Sequence, residues 1–152
     1  MAIKVGQQVE NFTLKDQDEN QVSLDDFKGK KVLLSFHPLA FTDVCRTQME
    51  QLEENYQVFE ENNTVPLGIS VDAFPTKKAW ADDMGLKKLR LLADFWPHGE
   101  LAMKLENFVE KHGFSGRANF LLDEDGKVSW VKVYGLTELP DINEVLEVVK
   151  GE

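Results

Sequence analysis

Apolar and polar positions along the chain fall into two periods. Phe12-Thr13-Leu14-Lys15 alternates, Asp16-Gln17-Asp18-Glu19-Asn20 is a polar turn, and Gln21-Val22-Ser23-Leu24 alternates again, which predicts an N-terminal β-hairpin. Residues 25–30 change the direction of the chain, with Gly29 at the break. Lys31-Val32-Leu33-Leu34-Ser35-Phe36 is then nearly continuous in apolar character, as a central strand covered on both faces would be. From Cys45 the period becomes helical. Cys45, Met49, Leu52, Tyr56 and Phe59 recur at i, i+4, i+7, i+11 and i+14, with glutamates on the other faces, and Asn62-Asn63 ends the helix.

The pattern continues with a strand at 65–71 and a helix opened by Pro75-Thr76, with Ala79, Trp80 and Met84 inward and Gly85 as its stop. A short strand at 89–92 follows, then a helix over 99–105 and a loop-like stretch at 110–116. The strongest hairpin is Arg117-Ala118-Asn119-Phe120-Leu121-Leu122, the turn Asp123-Glu124-Asp125-Gly126, and a return strand at 127–134. Pro140 begins a last helix with Ile142, Val145, Leu146 and Val149 on its apolar face. A β-hairpin, a βαβ unit and a closing ββα unit predict an α/β protein with a central mixed β-sheet flanked by helices. That order is the thioredoxin-like arrangement, in one domain spanning residues 1–152.

Composition narrows the functional classes. Seventeen Lys+Arg against 27 Asp+Glu give a net charge of −10, which argues against nucleic acid or an anionic membrane as a partner. No apolar run approaches the ~20 residues of a membrane-spanning helix, and no secretory signal is read at the start of the sequence. One cysteine leaves no internal disulfide, and a free thiol without an export signal points to a reducing cytoplasm.

That cysteine is the candidate centre of chemistry. Cys45 stands in the first turn of its helix, after a loop at the carboxyl edge of a central strand, where open α/β sheets place their sites. Unpaired N–H groups and the positive end of a helix dipole favour a thiolate there. Thr42 is an N-cap by default, and its hydroxyl is also placed to hydrogen-bond the thiolate or a peroxide oxygen. Pro38 shapes the loop and can wall the thiolate from water. Arg117 immediately precedes an apolar strand, an unexpected place for a surface charge. If that strand lies beside the one ending at Phe36, the guanidinium reaches Cys45. His37, His98 and His112 lack metal-ligand spacing with Cys45, so no metal is expected, and His37 is read as packing or facing solvent.

These pieces together resemble the peroxiredoxin family over nearly the whole chain. The resemblance is carried by Pro38-x-x-x-Thr42-x-x-Cys45, Phe12-Thr13-Leu14, Gly68-Ile69-Ser70-Val71-Asp72, Ala79-Trp80, Leu91-Leu92-Ala93-Asp94 and Arg117-Ala118-Asn119-Phe120. Asp94-Phe95-Trp96-Pro97-His98-Gly99-Glu100 is most similar to the one-cysteine alkyl hydroperoxide reductase E type. The resemblance implies that Cys45 is the peroxidatic cysteine, with Pro38, Thr42 and Arg117 completing the site. It implies a thiol peroxidase acting on hydrogen peroxide or organic hydroperoxides without a cofactor. Recycling would use an external thiol, from a thioredoxin- or glutaredoxin-like protein or a small molecule, and the protein would be a homodimer.

Three positions depart from the family pattern. Gln48 stands where a glutamate is common, Val9-Glu10-Asn11 replaces Ala-Pro-Asp, and Met103-Lys104-Leu105 replaces Tyr-Gly-Val. Two rival readings share the fold. A disulfide oxidoreductase is disfavoured because no Cys-x-x-Cys is present, and a non-catalytic binding or chaperone protein is disfavoured by the intact set Pro38, Thr42, Cys45 and Arg117.

Overall fold

A computed structural model describes residues 2–151. Strands β1 (Thr13–Lys15) and β2 (Gln21–Ser23) form the N-terminal hairpin and lead through a 3-10 turn, Leu24–Phe27, to β3 (Lys31–Phe36). Next come α1 (Asp43–Glu54), α2 (Tyr56–Glu61), β4 (Thr64–Ser70), α3 (Phe74–Met84), β5 (Arg90–Ala93) and α4 (Glu100–Lys104). Two short strands, β6 (Phe108–Val109) and β7 (Phe114–Ser115), precede the hairpin of β8 (Arg117–Leu122) and β9 (Val128–Tyr134), and α5 (Ile142–Val149) ends the fold.

The main sheet has seven strands in the order β2-β1-β5-β4-β3-β8-β9. Strands β3, β4 and β5 run parallel, while β8 lies antiparallel to β3 with Phe36 opposite Ala118. The sheet is mixed and flanked by helices, as expected. The N-terminal hairpin joins it weakly: β1 pairs with β5 only at Lys15–Ala93. The Gln17 side chain extends that seam, accepting from Leu91 N at 2.9 Å and donating to Leu89 O at 3.0 Å, so that one amide does the work of a peptide unit.

The near-continuous apolar character of β3 has the predicted cause, because the pleat sends alternate side chains into two separate cores. Val32, Leu34 and Phe36 pack with Leu101, Ala102 and Leu105 around α4. Leu33 points the other way, into a core with Cys45, Met49 and Leu52 of α1, Trp80 of α3 and Val145 of α5. Ser35 shares the parity of Lys31 and Leu33, which makes it the one fully buried polar position of the strand on the α1 side.

Three expectations change. The helix predicted from Cys45 to Phe59 is two helices, interrupted at Asn55, whose side chain donates back to Gln51 O at 2.8 Å. Asparagine offers the backbone such a partner and so favours helix ends. The stretch read as loop at 110–116 contains β7, which pairs with β6 over two residues, too few for periodicity to register. In α3, Trp80 is inward but Ala79 is exposed, and the inner face is made by Lys77, Trp80 and Ala81.

Candidate active site

The carboxyl end of β3 runs into a loop over residues 37–42 that hands the chain to α1. Polar contacts fix this loop at three points. His37 N donates to Ile69 O at 3.0 Å, Ala40 N donates to the Asp72 carboxylate at 2.8 Å, and Thr42 Oγ1 donates to Leu39 O at 2.7 Å. Pro38 is buried. Phe41 is held at φ 62°, a left-handed conformation that costs a non-glycine residue about 1–3 kcal/mol and persists only where the surroundings over-determine it.

Cys45 is the third residue of α1 and is 1% exposed. Arg117, the first residue of β8, is equally enclosed, and its Nη1 lies 3.4 Å from Cys45 Sγ. The antiparallel pairing of β3 with β8 makes this contact between residues distant in sequence, as the condition on Arg117 required. The guanidinium is fixed on every side. Nε and Nη2 donate to Leu136 O at 3.2 and 2.6 Å, and Nη1 also donates to Gln48 Oε1 at 2.7 Å. Gln48 in turn donates from Nε2 to Ser35 Oγ at 2.7 Å and to Phe36 O at 3.2 Å. Leu136 O, Arg117, Gln48 and Ser35 thus form one relay against the sulfur, buried from Arg117 to Ser35. Gln48 is neutral, so the relay orients the arginine without cancelling its charge.

The four predicted residues are not equivalent in position. Cys45 and Arg117 touch. Pro38 and Thr42 stand at the two ends of the loop, and neither hydrogen-bonds the sulfur. Thr42 is the N-cap residue of α1, but its hydroxyl makes no capping bond; its proton goes to Leu39 O. The oxygen keeps its capacity to accept a hydrogen bond.

Sequence reasoning missed two features. One is the relay role of Gln48. The other is a basic pair behind the loop: His37 Nε2 lies 3.1 Å from Lys77 Nζ, and both side chains are fully buried. The His37 ring also stands 5.2 Å from that of Trp80. Burial holds His37 well below the usual imidazole range, helped by the charges of Lys77 and Arg117. Burial likewise lowers Lys77 to about 7, against the opposing pull of Asp72, Cys45 and Asp94. A signal for Lys77 existed, since positions 77, 80, 81 and 84 recur at i, i+3, i+4 and i+7. Among the described residues, no three His, Cys, Asp or Glu side chains cluster as a metal site requires, and no helix is long and apolar enough to cross a membrane.

Comparison with known proteins places this arrangement. Residues 5–131 match the model of the AhpC/TSA family. Alkyl hydroperoxide reductase E of Mycobacterium tuberculosis is 37% identical over 140 residues, covering 91% of each chain. The mitochondrial thioredoxin-dependent peroxide reductase of Drosophila melanogaster is 30% identical over 162 residues, covering 99% of this chain and 67% of that protein. Among solved structures, reduced 2-Cys peroxiredoxin of Plasmodium vivax superposes with a TM-score of 0.88 at 30% identity, over 95% of this chain and 79% of that one. AhpC of Enterococcus faecalis gives a TM-score of 0.90 at 27% identity, over 97% and 90%.

Proposed function

The chain belongs to the AhpC/TSA family and is a peroxiredoxin, a thiol-dependent peroxidase; within that family we propose that it works with Cys45 alone, reducing hydrogen peroxide or organic hydroperoxides through a sulfenic acid. The observation that carries this reading is the buried contact of Arg117 Nη1 with Cys45 Sγ.

In the first step the Cys45 thiolate attacks the terminal oxygen of the peroxide. An S–O bond forms, the O–O bond breaks, and hydroxide or alkoxide leaves and takes a proton to become water or alcohol. Sulfur is oxidised to the sulfenic acid and the peroxide is reduced. Arg117 is placed to hold charge developing on the oxygens, as a fixed donor in a water-poor site does best. Thr42 Oγ1, with its proton committed to Leu39 O, is available to accept the peroxide O–H. Pro38 excludes water from the sulfur side of the loop.

Regeneration needs a second reactant, because Cys45 is the only cysteine. An external thiol condenses with the sulfenic acid to a mixed disulfide and water, and a second thiol releases Cys45 and leaves as the oxidised disulfide. The reductant we propose is a thioredoxin- or glutaredoxin-like protein or a small thiol. The thioredoxin dependence in the name of the Drosophila relative supports the protein dithiol. Exposed Phe41, Phe95 and Trp96 support a homodimer, and the lone thiol supports a reducing cytoplasm as the place of action.

Intact-mass analysis of the reduced protein after one equivalent of hydrogen peroxide tests the mechanism. The expected product is the monomer mass plus one oxygen, reversed by added dithiol, and excess peroxide drives it on to the sulfinic acid. A quantitative Cys45–Cys45 disulfide dimer, or a thiol unchanged by peroxide, would refute it.

A further inference from the structure

Lys77 and His37 share the interior on the α1 side of the sheet, and the peroxidase chemistry uses neither. Both are 0% exposed, with Nζ and Nε2 3.1 Å apart. Among the described residues Lys77 makes no ion pair, and His37 Nδ1 has no hydrogen-bond partner. The two carboxylates that act on Lys77 are occupied elsewhere. Asp72 accepts from Ala40 N and Ser70 Oγ, and Asp94 accepts from Leu101 N and Ala102 N.

Hydrogen-bond chemistry limits what this pair can hold. An ammonium only donates, so a charged Lys77 requires an unprotonated His37 Nε2 and puts the imidazole proton on Nδ1. A neutral Lys77 amine can instead accept from Nε2–H. Charging both would set two cations 3.1 Å apart in a desolvated interior. The pair therefore carries one exchangeable proton.

We propose that Lys77 and His37 form a buried one-proton site whose occupancy acts on Cys45 as a second cation beside Arg117 and gates its attack on peroxide. This rests on the peroxidase reading and adds its regulation. The pair borders the core that holds Cys45, since the Trp80 ring 5.2 Å from His37 packs in that same core. The charged and titratable groups that act on the pair are His37 and Lys77 themselves, Asp72 after β4, Asp94 after β5, Cys45 on α1 and Arg117 on β8. Of these, Cys45 is the one whose charge changes during the reaction. The depression of Lys77 to about 7 places the change of occupancy in the neutral range. Neither residue touches the peroxide; both act through the field at the thiolate. Linkage is reciprocal, so the Cys45 anion must also help to retain the proton.

Single-turnover oxidation of Cys45 by hydrogen peroxide, followed from acidic to alkaline pH, tests the first half. In the wild type the rate falls on the alkaline side as the pair loses its proton. In Lys77→Met the rate at neutral pH is lower and the alkaline fall disappears. A wild type that reacts with peroxide without that fall, or a Lys77→Met protein that keeps it, overturns the proposal. The second arm needs neither turnover nor a Lys77 variant. NMR titration of the Lys77 Nζ signal in the wild type and in Cys45→Ser should move to lower pH when the anion is removed, and coincident titrations overturn the coupling. A wild type inert to peroxide in which the shift is present would refute the peroxidase reading while supporting the proton site, so the two failures are distinguishable.

Discussion

Arg117 Nη1 donates to Cys45 Sγ at 3.4 Å, closing a contact between residues 72 positions apart. The first prediction is that Arg117→Met reduces peroxide more slowly by about 10²–10³-fold, the usual cost of losing one preorganised donor at developing negative charge. Stopped-flow oxidation of the reduced variant, with circular dichroism to show that the fold is retained, measures it.

Gln48 is the second test. Gln48→Leu removes the acceptor of Arg117 and the donor to Ser35 Oγ and Phe36 O. Buried groups left without partners cost about 1–3 kcal/mol, so denaturant unfolding should show a loss of that size. The oxidation rate should fall as well, because Arg117 then loses one of the two groups that aim it.

What was legible in the sequence followed from pattern where pattern is strong. The continuous run at β3, the stripe from Cys45 to Leu52 and the β8–β9 hairpin each assert one period, and together they set the sheet that brings Arg117 to the thiol. Lys77 was missed because a lysine scores as solvent-facing, and its neighbour Ala79 took the inward place in the reading. The role of Gln48 was hidden for a different reason. It depends on which side of β3 carries Ser35, a relation between two elements rather than a property of either.

Lys77→Met should stabilise the fold at neutral pH. The wild-type lysine titrates from about 7 when folded and near 10.5 when unfolded, so between those values the unfolded chain binds more protons. Wild-type stability therefore rises with pH across that window and is lost as pH falls toward 7. The gain from methionine is on the order of a few kcal/mol at and below neutrality and shrinks toward pH 10.5. Thermal unfolding of both proteins at neutral and alkaline pH gives the comparison.

Gly68 on β4 faces α1 across a tight contact. A methyl there would overlap Met49 Sδ and come within 2.9 Å of Leu91 Cδ2, and Met49 is fully buried one turn after Cys45. Gly68→Ala is expected to lose about 1–3 kcal/mol, as overpacked cores do. Urea denaturation checks the loss, and a slower oxidation rate would report displacement of α1.

The seam where Gln17 stands in for a peptide has a consequence for how the molecule breathes. Hydrogen exchange should rank the amides of the sheet, with those of β1 and β2 trading protons for deuterons first and those of β3, β4 and β8 last. Two strands, β5 and β4, separate that loose margin from β3. Wear at the edge then spends itself before it reaches the thiol, and the hairpin acts as a sacrificial hem that opens and re-closes while the site keeps its shape.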